Sequence, residues 1–263
     1  IYSPATRRPS KGDDSIFIRH AIALSANTTL PLDQTVIEPA GTLTIPATSN
    51  LSLFTDNPGY ELVVDGTLTV NGNIFGSPSS SVNGKLAVAG TLNLAGQIII
   101  DSVVAIPSAA SAVINASGAA KISKLQINNL LGVNLNGNLD IINALDLQNG
   151  LLNIAASNYI RLVAGQSPVI QGGSAASYVN GKLRWQSFIT SDPLPFPVGK
   201  AGKFRKIEIL PNQNSFDFSV EYEAELIAAP PPARTLPGAF TNVNQQWYHT
   251  VSMIAGSSFF TNA

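Results

Sequence analysis

Catalysis and metal binding need side chains that titrate, attack or coordinate, and this chain holds few of them. Its two histidines, His20 and His249, lie near opposite ends of the sequence. Neither has a second histidine at ligand spacing or an acidic ligand set beside it, so both read as structural residues. No Gly-x-Ser-x-Gly elbow and no phosphate-cradling glycine loop occurs. Gly172-Gly173-Ser174 begins like a calcium-binding nonapeptide repeat but lacks the Asp that would supply oxygen ligands, and reads as a turn. Glu221, Glu223 and Glu225 form the one acidic cluster. On a strand they share a face about 7 Å apart, a spacing that could gather Ca²⁺ with help from a loop. The competing reading is a solvated face paired across a hairpin with Arg205 or Lys203.

Cleavage of a polysaccharide would need several carboxylates, or a carboxylate with Lys or Arg, gathered on one face. Between Gly41 and Asn180 the acids are only Asp56, Glu61, Asp65, Asp101, Asp140 and Asp146, and the bases Lys85, Lys121, Lys124 and Arg161. Asp140 and Asp146, six residues apart, are the one pair whose spacing suggests neighbouring strand positions. Aromatic residues that could stack on sugars are also sparse there: Phe54, Tyr60, Phe75 and Tyr159. No catalytic or cofactor-binding residue is assigned, and the chain reads as a non-enzyme.

Composition points the same way. Charged residues make up 12% of the 263, about half the usual share, and Asn, Ser, Thr and Gly stand in their place. The formal net charge of −1 gives no electrostatic reason to bind nucleic acid. With no cysteine, disulfides and thiolate metal sites are excluded. The most apolar stretch, residues 86–100, is too short for a bilayer and carries Thr91, Asn93 and Gln97, so no membrane span is expected.

What positions these residues is a repeated phrase, polar-Gly-x-apolar-x-apolar. It occurs as Ala40-Gly41-Thr42-Leu43-Thr44-Ile45, as Asp65-Gly66-Thr67-Leu68-Thr69-Val70 and as Ala89-Gly90-Thr91-Leu92-Asn93-Leu94. Further copies start at Asn83, Asn136, Asn149 and Asn180. The glycine turns the chain, and the alternation after it puts every second side chain inside. Asn-Gly between alternating runs also signals hairpins, so an antiparallel sandwich is the rival architecture. Near-identical short strands with few charges favour a right-handed parallel β-helix over residues 13–185, because coils about 4.8 Å apart would stack like charges. At ~20 residues a coil, that region makes about eight coils. Thr42, Thr44, Thr67, Thr69 and Thr91 point outward, a pattern that could meet ice or a glycan. Lys85, Ala87, Asn93, Asn138 and Asp140 interrupt the array, and Thr suits outward strand positions for ordinary reasons.

Residues 1–12 read as an irregular lead-in, and residues 186–263 as a β-sandwich-like module that ends incomplete. In that module 204–210 and 216–226 are expected to form a hairpin about Pro211–Ser215, with a further strand over 247–253. The three prolines near Ala228–Gly238 imply an extended connector.

Three stretches carry a resemblance: Gly12-Asp13-Asp14-Ser15-Ile16-Phe17-Ile18, the Gly-Thr-Leu-Thr-Val-Asn-Gly unit at 66–72, and Tyr178-Val179-Asn180-Gly181-Lys182-Leu183 followed by Phe196-Pro197-Val198-Gly199-Lys200. Together they resemble the β-solenoid surface proteins and adhesins exported by the type IX secretion system of gliding Gram-negative bacteria. The carboxy-terminal sorting domain usual in that group is not recognisable. The resemblance implies an extracellular or outer-surface location. It also implies a structural or adhesive role as stalk or display module. The partners it implies are other segments or subunits of a larger surface assembly, the secretion machinery, and glycans. The alternatives are a polysaccharide-active β-helix of lyase or hydrolase type, and a non-catalytic carbohydrate-binding module.

Overall fold

A computed structural model describes residues 16–53, 60–76, 85–100, 102–163, 168–188, 193–210, 219–232 and 244–255. The expected lead-in at 1–12, Asp13–Ser15, Phe54, Asp56, Asn83-Gly84, Asp101, the expected hairpin loop at 211–215 and the start of the expected strand at 216–218 lie outside them.

The described chain is all-β, a parallel β-solenoid of about seven turns. Each coil passes over three faces in turn. Ile16–Ile18, Thr35–Ile37 and Leu62–Val64 begin the first face; Ala21–Ala23, Thr42–Ile45 and Thr67–Val70 the second; Thr29–Leu32, Asn50–Leu53 and Asn73–Gly76 the third. Along each face the strands pair in parallel, like residue on like: Leu43 beside Leu68 beside Leu92, and Thr42 beside Thr67 beside Thr91. In two successive coils the third and first faces share single long strands, Lys121–Asn128 and Leu139–Asn149, with a register shift between Ile122 and Lys124; in the next coil Tyr159–Leu162 and Val169–Gly172 are separate again. The eight-stranded second face stays separate throughout. Coil length varies: 19 residues separate Asn134 from Asn153, and 27 separate Asn153 from Asn180.

The inward residue of every alternation fills the axis. Ile37, Val64, Leu68, Leu92, Ile122, Leu135 and Ile160 are all essentially inaccessible. Each such side chain contributes about 1.5–3 kcal/mol by leaving water, but only because the coils above and below cover it. The turn glycines serve two different ends. A Cβ on Gly90 would fall onto the Gly66 carbonyl oxygen of the preceding coil, so close stacking excludes any side chain there. Gly150 meets both demands, since it takes a φ of 81°, a left-handed turn that glycine adopts without strain, and a Cβ there would fall onto the Asn129 carbonyl oxygen.

The carboxy-terminal part corrects one expectation. Among the described residues, 204–210 does not pair with 219–226. Ile207–Ile209 pairs with Leu194–Phe196, the proline-rich run, and Lys203–Phe204 pairs with Gly199–Lys200. Ser219–Ile227 instead lies antiparallel on Lys182–Phe188, the last third-face strand, and takes Tyr248–Ala255 on its other edge. Alternation in 219–227 does report the faces: Val220, Ala224 and Leu226 are buried. It could not report the partner, because any strand with an apolar inner face fits the end of the stack equally well.

Candidate functional site

Two outward surfaces concentrate the polar side chains. The first is the outside of the second face. Its two columns of outward residues run along the axis, Thr42, Thr67, Thr91, Val113, Asn134, Asn153 and Asn180 in one, Thr44, Thr69, Asn93, Asn115 and Asn136 in the other. All are at least partly exposed. In-register stacking sets each amide against the next. Asn93 Nδ2 donates to Thr69 Oγ1 at 3.2 Å, Asn115 to Asn93 Oδ1 at 2.7 Å, and Asn136 to Asn115 Oδ1 at 2.9 Å. In the other column Asn153 donates to Asn134 at 3.3 Å and Asn180 to Asn153 at 2.9 Å. The ladder ends at Asn180 Oδ1, which is buried and finds no donor among the described residues.

This surface overturns most of the expected interruption of the threonine array. Lys85 and Ala87 lie on the first face, Asp140 on the third, and Asn138 in the corner before it. Only Asn93 stands among the threonines, and it continues the array as an amide. The sequence spacing could not show this, because the coil varies in length and consecutive phrases land on different faces.

The second surface is a charged column on the third face, continued onto the carboxy-terminal strands. Asn50 and Asn73 begin it with an amide bond of 3.1 Å, and Lys121, Asp140, Arg161, Arg184 and Glu223 follow in register. Arg161 meets Asp140 through two parallel bonds of 2.9 and 2.8 Å. That hydrogen bond raises the guanidinium pKa above its ordinary value, partly offset by burial. Arg161 and Arg184 are cross-strand neighbours of like charge. The carboxylate of Glu221, 5% exposed, lies between them, 3.6 Å from one and 3.5 Å from the other. Arg184 also reaches Glu223 at 2.7 Å and lies 3.6 Å above the Tyr159 ring.

The three glutamates read as a calcium candidate do share a face, but cations of the protein already occupy them. Glu221 holds Arg161 and Arg184, Glu223 holds Arg184 and Lys182, and Glu225 holds Lys200 at 3.3 Å. Among the described residues no group of three acids, histidines or cysteines is placed to hold a metal ion. The partners also differ from the expected Arg205 and Lys203, because the strand pairs with Lys182–Phe188 instead.

The remaining candidates stay apart. Asp140 and Asp146 lie on one strand but on different faces of the coil; Asp146 sits beside Gln126 and Gln171 and accepts from Gln148 at 3.0 Å. His20 is exposed at the corner between the first two strands. His249 places Nε2 2.8 Å from the Arg205 carbonyl oxygen, so that nitrogen carries the hydrogen, and its ring meets Trp247 edge-on. The turn expected at Gly172-Gly173-Ser174 falls slightly later: Gly172 ends the strand Val169–Gly172, and Ser174 and Ser177 close the turn with mutual backbone bonds.

The fold defines the class, a parallel β-solenoid with an antiparallel strand pair on its last coil. No family model, curated protein or solved structure matches the chain. Among the described residues no helix is long and apolar enough to cross a membrane.

Proposed function

We propose that this chain is a rigid, non-catalytic structural and adhesive segment of a secreted cell-surface protein, of the kind that the type IX secretion system exports. The supporting observation is the unbroken parallel pairing of the second face from Ala21–Ala23 to Val179–Asn180. Each coil is hydrogen-bonded to the next along the axis, so the segment resists bending and holds what lies at either end apart. The acids support the same reading, since Asp140, Glu221, Glu223 and Glu225 all neutralise neighbouring arginines or lysines. A carboxylate committed in this way is not poised to move a proton. Surface assemblies, the export machinery and glycans are the partners this role implies.

An antibody against the chain, applied to intact cells of the source organism, tests the proposal. Labelling without permeabilisation, lost after brief protease treatment, is expected. Labelling only after the cells are opened would overturn it.

A further inference from the structure

The second face offers an array rather than a pocket. Its two columns hold no Asp, Glu, Lys or Arg, whereas the third face and its extension carry Lys121, Asp140, Arg161, Lys182, Arg184 and Glu223. An anionic polymer therefore finds no cation on the second face, and an uncharged one buries no unpaired charge there. The amide ladders fix the orientation of Asn93, Asn115, Asn136, Asn153 and Asn180 before any ligand arrives. An amide that spends one N–H and one lone pair along the ladder keeps the second of each for a ligand. The hydroxyls of Thr42, Thr44, Thr67 and Thr91 make no hydrogen bond among the described residues. Rows recur about every 4.8 Å along the axis, columns lie about 7 Å apart, and the array extends roughly 30 Å.

We propose that this face binds an uncharged, extended polysaccharide laid along the solenoid axis, its hydroxyls bonded by successive rows. The inference deepens the adhesive reading and rests on it for its setting. No aromatic side chain stands in either column, so ring stacking contributes nothing. Each row alone is weak, since a hydrogen bond exchanged with water nets little. Fixed donors in series add up, so affinity rises with polymer length and short oligosaccharides bind poorly.

The test is co-sedimentation of the purified chain with insoluble cellulose and chitin, with a polyuronate gel as charged control. Depletion by at least one uncharged polymer, insensitive to high salt, is expected. The pair Thr67→Lys and Thr91→Lys, outward on neighbouring strands, is expected to weaken binding about ten-fold or more. Thr67→Val with Thr91→Val, which removes hydroxyls but keeps branched side chains, does the same without adding charge. Gln171→Lys, exposed on the first face, leaves binding unchanged. Unchanged binding in both threonine pairs, or binding to the polyuronate alone, overturns the proposal. Ice-growth inhibition or self-association that the threonine variants abolish, without polysaccharide binding, assigns the face to another occupant and also overturns it. Surface labelling of cells with no sedimentation sinks this inference while leaving the structural role standing.

Discussion

Asn115 both gives and receives a ladder bond, whereas Asn180 gives one and carries an orphaned buried oxygen. The two should therefore respond differently to truncation. Replacing Asn115 by Ala removes two bonds and is expected to cost about 1–2 kcal/mol in chemical denaturation followed by circular dichroism. Asn180→Val removes one bond but also the unpaired oxygen, so its cost should stay below about 0.5 kcal/mol. Equal losses would mean that the ladders contribute nothing beyond strand pairing. Glu221 is the other decisive residue. Glu221→Gln leaves Arg161 and Arg184 side by side without their shared carboxylate. With both arginines partly solvated and each keeping another acid, the loss is expected to be about 1–3 kcal/mol. Adding Arg184→Met should recover part of it, and strictly additive losses in the double-mutant cycle would rule out the bridging role.

Between elements, what the sequence conveys is a face, and partnership is harder to read. The Gly-Thr-Leu-Thr phrase announces a short strand with leucine inside, and the strands Thr42–Ile45, Thr67–Val70 and Thr91–Leu94 obey it. The amide and threonine columns were also visible as residue types. Their alignment was not, because register depends on coils of unequal length. The assumed 204–210 with 216–226 hairpin failed for the same reason: proximity in sequence outranks nothing once a long sheet offers an open edge. The ion pairs of Glu221 and Glu223 with Arg184 are set by the antiparallel register with Lys182–Phe188, while Glu225, beyond that register, meets Lys200. The docked strand also carries a pH signature. Burial raises the Tyr222 hydroxyl pKa, so the folded state disfavours its ionised form. Stability is then complete below the ordinary tyrosine range and falls as pH rises through it toward the raised value. Tyr222→Phe should flatten that alkaline decline in thermal melts recorded across pH; an identical slope would assign the decline elsewhere.

For the whole molecule, the repeat predicts that coils are removable units. Asn93 lies 24 residues after Thr69 and hydrogen-bonds to it across one coil. Deleting residues 67–90 places Gly66 directly before Thr91 and brings Thr91 beside Thr42, with both columns in phase. The shortened chain is expected to fold, with its long dimension reduced by about 5 Å in small-angle scattering. Deleting half that number of residues should destroy folding, because the remaining phrases would land on the wrong faces. Comparable folding of both deletions would contradict a stack of repeating coils.

Since the hydrogen bonds between coils lie along the axis, tension on the two ends of the rod loads them one coil at a time rather than together. A coil that opens releases its whole contour, roughly 70–80 Å for some twenty-four residues, against the 5 Å it occupied. Such a segment stands stiff under compression and bending, yet under pull it yields in small steps of large extension. In the adhesive role proposed above, such a rod acts as a shock absorber as well as a spacer.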